Sequence, residues 1–233
     1  MIGIISDIHG NYPALQAVLR ALDLQNIVRI YCLGDVAGYY CQINECCALL
    51  RKREIPTLMG NHDWYLTSGN YCPRSRSAND CLDYQRKNID REHLDWLSKA
   101  TLRMQIDDAI DCVHGGWDDP LDEYVIPSEG YFGRFPFSLF LSGHTHVQGI
   151  WKGSGKTYCN PGSVGQPRDG DPHAAFATWD GANFNLHRVA YDIDDVAEAM
   201  TAAGFPAYYH ENLRNGLRIG GTLSKSPFTA AIS

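Results

Sequence analysis

Five times along this chain, a short apolar run rich in β-branched residues stops at a glycine or polar residue and is followed at once by Asp, Asn or His. The runs cover residues 2–5, 27–33, 55–59, 109–113 and 137–141. The clusters behind them are Asp7-x-His9, Gly34-Asp35, Gly60-Asn61-His62-Asp63, His114-Gly115 and Gly143-His144-Thr145-His146. Runs of that length and make-up are expected to be buried strands. Polar residues at the carboxyl ends of several strands gather in the crevice where open α/β sheets bind ligands. A chain so built must therefore bring distant segments to one edge of a sheet.

The segments between the first runs agree with this. Asn11 can cap a helix with Pro13 in its first turn and Leu15, Val18, Leu19 and Leu22 on its apolar face. A second helix is expected over 42–53, giving a βαβαβ order with a parallel core. Further on, helices are expected at 78–88 and 91–99, the latter capped by Asp90. Short strands follow at 147–151, 156–159, 173–179 and 184–191, with turns at 153–155 and 180–181. The chain then returns to helix at 193–203, with Gly204 behind it, and at 206–215. A poorly ordered tail is expected over 220–233.

Taken singly, the polar clusters say little. A Gly-Asp after a strand is usually a turn. His144-x-His146 falls on one side of an extended segment, which is chelating geometry and also ordinary alternation. Together, carboxylates, imidazoles and one amide drawn from separate strands suit one or two borderline divalent cations.

In this order the five clusters resemble the calcineurin-like metallophosphoesterase superfamily, over about residues 2–191. The likeness is closest to its small prokaryotic phosphodiesterase and phosphatase branch, in which Asn160-Pro161-Gly162-Ser163-Val164 and a turn like 165–168 follow the last histidines. The resemblance implies an α/β (α+β four-layer) fold of two mixed β-sheets packed face to face and flanked by helices. It implies one domain over 1–233; the stretches 66–100 and 117–136, which lack a sheet signature and leave from the motif loops, are candidates for a small helical and loop cap, the alternative being plain surface insertions. It also implies two divalent metal ions, with Asp7, His9, Asp35 and His146 around one. Asp35, Asn61, His114 and His144 would surround the other, Asp35 bridging. Manganese, iron, zinc or cobalt would suit this mixed nitrogen and oxygen set, and manganese is favoured. Water activated between the metals would attack a phosphodiester or phosphomonoester, with His62 as general acid at the leaving group.

One element departs from the family. Many members read G-D-x-x-D, and the second Asp helps orient the catalytic histidine; here that position is Gly38. Asp63 is then a candidate to orient His62 or to tie its loop down. Arg168 is a candidate to grip a substrate phosphate through its guanidinium fork. Tyr39, Tyr40, Trp117 and Tyr124 are candidate pocket aromatics. His93, His173, His187 and His210 are expected to be ordinary surface or core histidines. The competing function is a non-catalytic scaffold for protein–protein interaction; such scaffolds tend to lose ligands, and every ligand position is intact here.

Bulk composition narrows the partners. A net charge of −7 over 233 residues argues against a general nucleic-acid binder. It leaves room for a small phosphorylated substrate, possibly a nucleotide, because bound cations supply positive charge locally. The eight cysteines form no Cys-x-x-Cys and are expected to be reduced thiols. The first strand enters the Asp7 motif without a basic leader, and no apolar stretch approaches the ~20 residues of a membrane span. A cytoplasmic protein without a membrane partner is expected, its oligomeric state open.

Overall fold

The computed structural model describes residues 1–228 and arranges nine strands among them in two mixed sheets. In the first sheet, β1 (Ile2–Ile5) pairs in parallel with β2 (Ile30–Cys32) and antiparallel with β8 (Ala174–Trp179), which pairs with β9 (Phe184–Val189). In the second, β4 (Ile110–Val113), β5 (Leu139–Leu141) and β7 (Lys156–Asn160) run parallel. The antiparallel strands β3 (Arg103–Ile106) and β6 (Gly149–Gly153) close its two edges.

The alternation of β1 shows how the layers stack. Ile2 and Ile4 join Leu33, Ile110, Leu141 and Ala177 in a buried cluster drawn from both sheets, so the sheets pack face to face. Ile5 points the other way, into a cluster with Leu15, Val18, Leu19 and Leu22 of α1 (Tyr12–Leu24). The strand is apolar throughout because both its faces are covered. Asn11 caps α1 as expected, accepting the Ala14 N–H at 3.1 Å. The second helix, α2 (Ile43–Lys52), lies on the same layer.

The structure departs from the sequence expectations at several points. The run at 55–59 makes only isolated bridges, Cys32 with Thr57 and Leu58 with Thr101. Pro56 has no N–H to donate, and Gly60 already caps α3 (Asn61–Ser68), so little chain remains for a ladder. That helix was not expected, since its buried residues are Asn61, His62 and Asp63 with only Tyr65 and Leu66 beside them, too few apolar positions to show a period. Strand β3 was also missed. It reaches β4 through Asp107 and Asp108, both left-handed, the tight hairpin turn that Asp tolerates. The segment 206–215 forms two 3₁₀ turns, Ala207–Tyr209 and Glu211–Asn215, instead of an α-helix. Helix α4 (Arg76–Asn88) is capped by Ser75, whereas Asp90 precedes α5 (Arg91–Leu97) without a side-chain capping bond.

The stretch 117–136 contains one short helix, α6 (Glu129–Phe132). Trp117 packs there with Phe132, Phe140 and Tyr158, and its indole N–H reaches Asp111 at 2.6 Å. The tail expectation holds poorly where it can be checked: Ser224 donates its N–H to the Arg168 carbonyl at 2.8 Å, and Phe228 stacks on Tyr158. The remainder of that tail, 229–233, lies outside the described residues. All eight cysteines are free. No helix among the described residues is long and apolar enough to cross a membrane.

Candidate metal centre

Three of the five polar clusters, those of Asp7, Asp35 and His144, turn away from their strands by a sharp bend. Asp7, His9, Asp35, His144 and His146 all have positive φ, between 55° and 64°, a conformation Asp, Asn and His accept more readily than other residues. The bend turns their side chains back across the strand ends. The two groups predicted from the sequence do converge: Asp7, His9, Asp35 and His146 in one, and Asp35, His114 and His144 in the other, with ligand atoms within 4.8 Å of one another in each. His9 Nε2 and His146 Nε2 are 3.0 Å apart, and Asp7 Oδ1 lies 3.3 Å from His146 Nε2. Asp35 Oδ2 lies 3.7 Å from His9 Nε2 and 3.4 Å from His114 Nε2, so one carboxylate oxygen faces both groups. Asn61 Oδ1 joins the second group, 3.1 Å from His114 Nε2.

Surrounding bonds choose which atoms face inward. The Nδ1 atoms of His9, His114 and His146 lie 2.7, 2.9 and 2.6 Å from the backbone carbonyls of Ala37, Leu33 and Gln166. Donation from Nδ1 leaves each Nε2 lone pair pointing into the centre, as metal-ligating histidines require. Asp35 Oδ1 accepts the His62 N–H and Asp7 Oδ2 the His144 N–H, which frees the other oxygen of each. Asp7 Oδ1, Asp35 Oδ2 and His144 Nε2 are buried without a hydrogen-bond partner. Orphaned buried acceptors of this kind need cations, so the donor set fits two divalent ions. Burial opposes ionisation of Asp35, yet His114 and His62 outweigh it and hold the carboxyl well below the usual range. Burial likewise lowers His114, but Asp35 lifts it to about 9.

His62 stands beside these groups on the wall of a cavity of about 270 Å³ that also receives Asp35, His144, His146 and Arg168. Burial pushes its imidazole down, to about 4. Its ring packs edge-on to His9 and Tyr65 and tilted against Tyr39. Nδ1 faces Gly38 and has no partner. Gly38 has φ +105°, and a Cβ there would come within 2.7 Å of His9 Nδ1 and 2.8 Å of His62 Nδ1. The bare backbone of Gly38 therefore leaves room for both imidazoles, which a side chain there would crowd. Gln85 fixes this backbone by accepting the Gly38 N–H and donating to the Gly38 and Tyr40 carbonyls.

Asp63 does not touch the His62 ring. Its carboxylate accepts the N–H groups of Asp35, Ala37 and Gly60 at 2.8, 2.8 and 3.0 Å, joining the Gly34-Asp35 loop to the start of α3. Of the two roles open from the sequence, these bonds match the second, tying the loop down, and make Asp63 a positioning residue. Arg168 is buried on the cavity wall; its guanidinium donates twice to Gln166 Oε1 and lies 5.0 Å from the Tyr39 ring centre.

Of the four aromatics singled out, Tyr39 and Tyr124 line the cavity. Tyr40 lies beneath it, its hydroxyl accepting from Gln166, and Trp117 belongs to the separate aromatic cluster, because both rings are drawn into apolar packing. His93, His173, His187 and His210 belong to neither metal group. Sequence reading missed two supporting roles of the segment 160–163. Asn160 donates to the Gly143 carbonyl and Thr145 Oγ1, holding the His144 turn, and Ser163 donates to the Asp7 carbonyl. Gln85 and Gln166 carried no signal, since an isolated Gln has no distinctive spacing.

A protein of Methanocaldococcus jannaschii, MJ0912, is 31% identical over 91% of this chain and 97% of its own length. Among solved structures, the metallophosphoesterase from Sphaerobacter thermophilus superposes with a TM-score of 0.80 at 33% identity, over 92% of this chain and 99% of its own. The protein PH1004 of Pyrococcus horikoshii shares the fold, with a TM-score of 0.79 at 19% identity, over 92% and 98%. The model of the calcineurin-like phosphoesterase superfamily domain matches residues 1–182, a span holding every ligand of both groups. By sequence, fold and the convergence of its polar clusters, the chain belongs to the calcineurin-like phosphoesterase superfamily.

Proposed function

We propose that the protein hydrolyses a small phosphodiester or phosphomonoester, nucleotide-like in its leaving group. One observation carries this: two of the buried acceptors without partners, on Asp35 and His144, line the same cavity as His62 and Arg168, and the third, on Asp7, belongs to the ligand group behind Asp35. Two divalent cations held by Asp7, His9, Asp35, Asn61, His114, His144 and His146, manganese being favoured, would lower the pKa of water and neutralise charge on the phosphoryl oxygens. The protein's own residues do the rest. Asp35 spans both ligand groups and fixes their separation. Arg168, whose protein partner is the neutral Gln166 oxygen, keeps its charge for a phosphoryl oxygen of the substrate. His62, with Nδ1 turned to Gly38, would offer its Nε2–H to the leaving-group oxygen, as a hydrogen-bond donor while burial keeps the imidazole neutral and as general acid once the phosphoryl anion beside it favours the protonated form. The free thiols support a reducing, cytoplasmic setting.

The test is direct. Metal-stripped protein reloaded with manganese, iron, zinc or cobalt should hydrolyse nitrophenyl mono- or diesters or members of a nucleotide panel. Full loading at both positions without hydrolysis of any ester would overturn the proposal.

A further inference from the structure

The partly or fully buried arginines divide into two kinds. Arg51, Arg86 and Arg188 pair with Glu92, Asp83 and Asp169. Arg168 and Arg218 have no carboxylate within ion-pair distance among the described residues, and both line the cavity of the metal centre. A guanidinium withdrawn from water without an anion is unfavourable unless a ligand brings one. Arg168 lies deep, beside the metal ligands. Arg218 stands at the mouth, on a turn closed by its own N–H to the Thr222 carbonyl at 2.9 Å and by the Gly221 N–H to its carbonyl at 2.9 Å. Its Nε donates to Ser224 Oγ at 3.0 Å, and its terminal nitrogens have no hydrogen-bond partner among the described residues. Arg74, paired with Asp122 and 5.6 Å from the Tyr124 ring centre, stands on the same wall. This concentration of cations is unlike the chain as a whole, whose net charge is −7.

A second cavity, of about 570 Å³, adjoins the first and shares Tyr124, Arg218 and Thr222 with it. Its walls are apolar and include Val125, Ile126 and Leu223. Ile126 and Leu223 are 61% and 58% exposed, wasteful positions for such side chains unless something flat and apolar covers them. From centre to groove the order is metal ligands, Arg168, Arg218, then an aromatic and aliphatic slot.

We infer that the substrate is a nucleotide with at least two consecutive phosphoryl groups, one at the metal centre, the next on Arg218, and the nucleoside in the groove between Tyr124 and Leu223. The inference rests on the hydrolytic reading above. The residues 218–226 thereby act as a specificity element contributed by the end of the chain to a site otherwise built at its beginning.

The experiment compares binding of α,β-methylene-ADP, AMP and methylenediphosphonate to the metal-loaded protein by calorimetry, together with hydrolysis of nitrophenyl phosphate and ADP. The wild type should bind the ADP analogue at least tenfold more tightly than AMP. Arg218→Ala should remove most of that preference, a loss of about 10–100-fold, as expected for a hydrogen-bonded charge pair. Arg218→Gln, which keeps the length of the side chain, should lose it too, guarding against a folding defect. Leu223→Asp should weaken the ADP analogue more than methylenediphosphonate, which has no nucleoside. Equal affinity of the wild type for the ADP analogue and AMP would overturn the inference, as would equal weakening of both by Arg218→Ala. Nitrophenyl phosphate hydrolysis without the analogue preference would sink this inference alone. The preference without hydrolysis of any ester would uphold the subsite and sink the hydrolytic reading.

Discussion

Asp35 and Arg218 face one cavity but are held there in opposite ways. Asp35 follows a buried strand, has its outer oxygen fixed by the His62 N–H, and has its loop clamped by Asp63. Arg218 sits on a short turn near the end of the chain, secured by Thr222 and Ser224. The difference follows from what each region must do. Transferring charge between fixed centres tolerates little displacement, so the centre rests on strand ends and buried hydrogen bonds. Recognition of a substrate body can be rebuilt on loops without disturbing the sheet. Chemistry and specificity are thereby separable within one pocket.

The largest expected effect tests the centre. Asp35→Asn removes charge from both ligand groups together, and turnover should fall by at least ~10³-fold, beyond the ~10–100-fold typical of lost outer partners of metal ligands. His9→Ala should cost less, and metal content measured alongside activity separates occupancy from chemistry. Equal, modest losses at full occupancy would break the bridging role of Asp35.

His62→Ala should come next, with both metals retained and turnover lowered by about 10²–10⁴-fold. The deficit should shrink with nitrophenolate, a good leaving group, and be full with a poor alkoxide. Loss of metal, with good and poor leaving groups slowed alike, would make the histidine structural.

Between centre and mouth, Arg168→Ala should lower kcat/KM by about 10–100-fold with metal content intact, the range for a hydrogen bond to a charged group. Steady-state kinetics on one ester checks this, and a loss no greater than twofold would argue against phosphate contact. Gly38→Ala places a methyl group against two imidazoles in a left-handed backbone. It should destabilise the protein by about 1–3 kcal/mol, read from denaturant unfolding. Neutrality there would mean that the His62 ring is not packed as described.

The smallest effect belongs to the mouth. Ile126→Ser should change stability by no more than ~0.5 kcal/mol, since the side chain is already 61% exposed. A large loss would erase the contrast, because the groove would then be as tightly built as the centre.

The same contrast explains what could be seen in the sequence. Strand-end clusters are legible because a strand has a recognisable composition and its following residue has a fixed destination. The gathering of the polar clusters at the strand ends follows from that, whereas the assignment of seven of their residues to two metals was implied only by the family resemblance. Helix Asn61–Ser68 was invisible because three of its five buried residues, Asn61, His62 and Asp63, are polar, and Tyr65 and Leu66 alone make no apolar stripe. Strand Arg103–Ile106 lay outside the metal motifs, and only the Asp107-Asp108 turn could have announced it. Arg218 had no readable role, because nothing local says that a turn near residue 220 returns to the wall of the cavity. Asp63 was half legible: its place beside His62 was plain, but its three backbone partners come from folding, not from spacing.

The left-handed backbone of the site has a further consequence. Asp7, His9, Asp35, Tyr39, His144 and His146 all hold φ between 27° and 64°, a conformation that costs an L-residue roughly 1–2 kcal/mol before any tolerance of Asp or His is allowed for. Several of these residues also bury acceptors that face one another. Cations that bind only this folded arrangement offset the cost by mass action, about 2.7 kcal/mol at a hundredfold excess over Kd. On the proposed reading, metal supply would govern how long the polypeptide survives as well as how fast it works. In a metal-starved cell, proteolysis of the opened chain should lower its abundance before any inhibitor lowers its turnover.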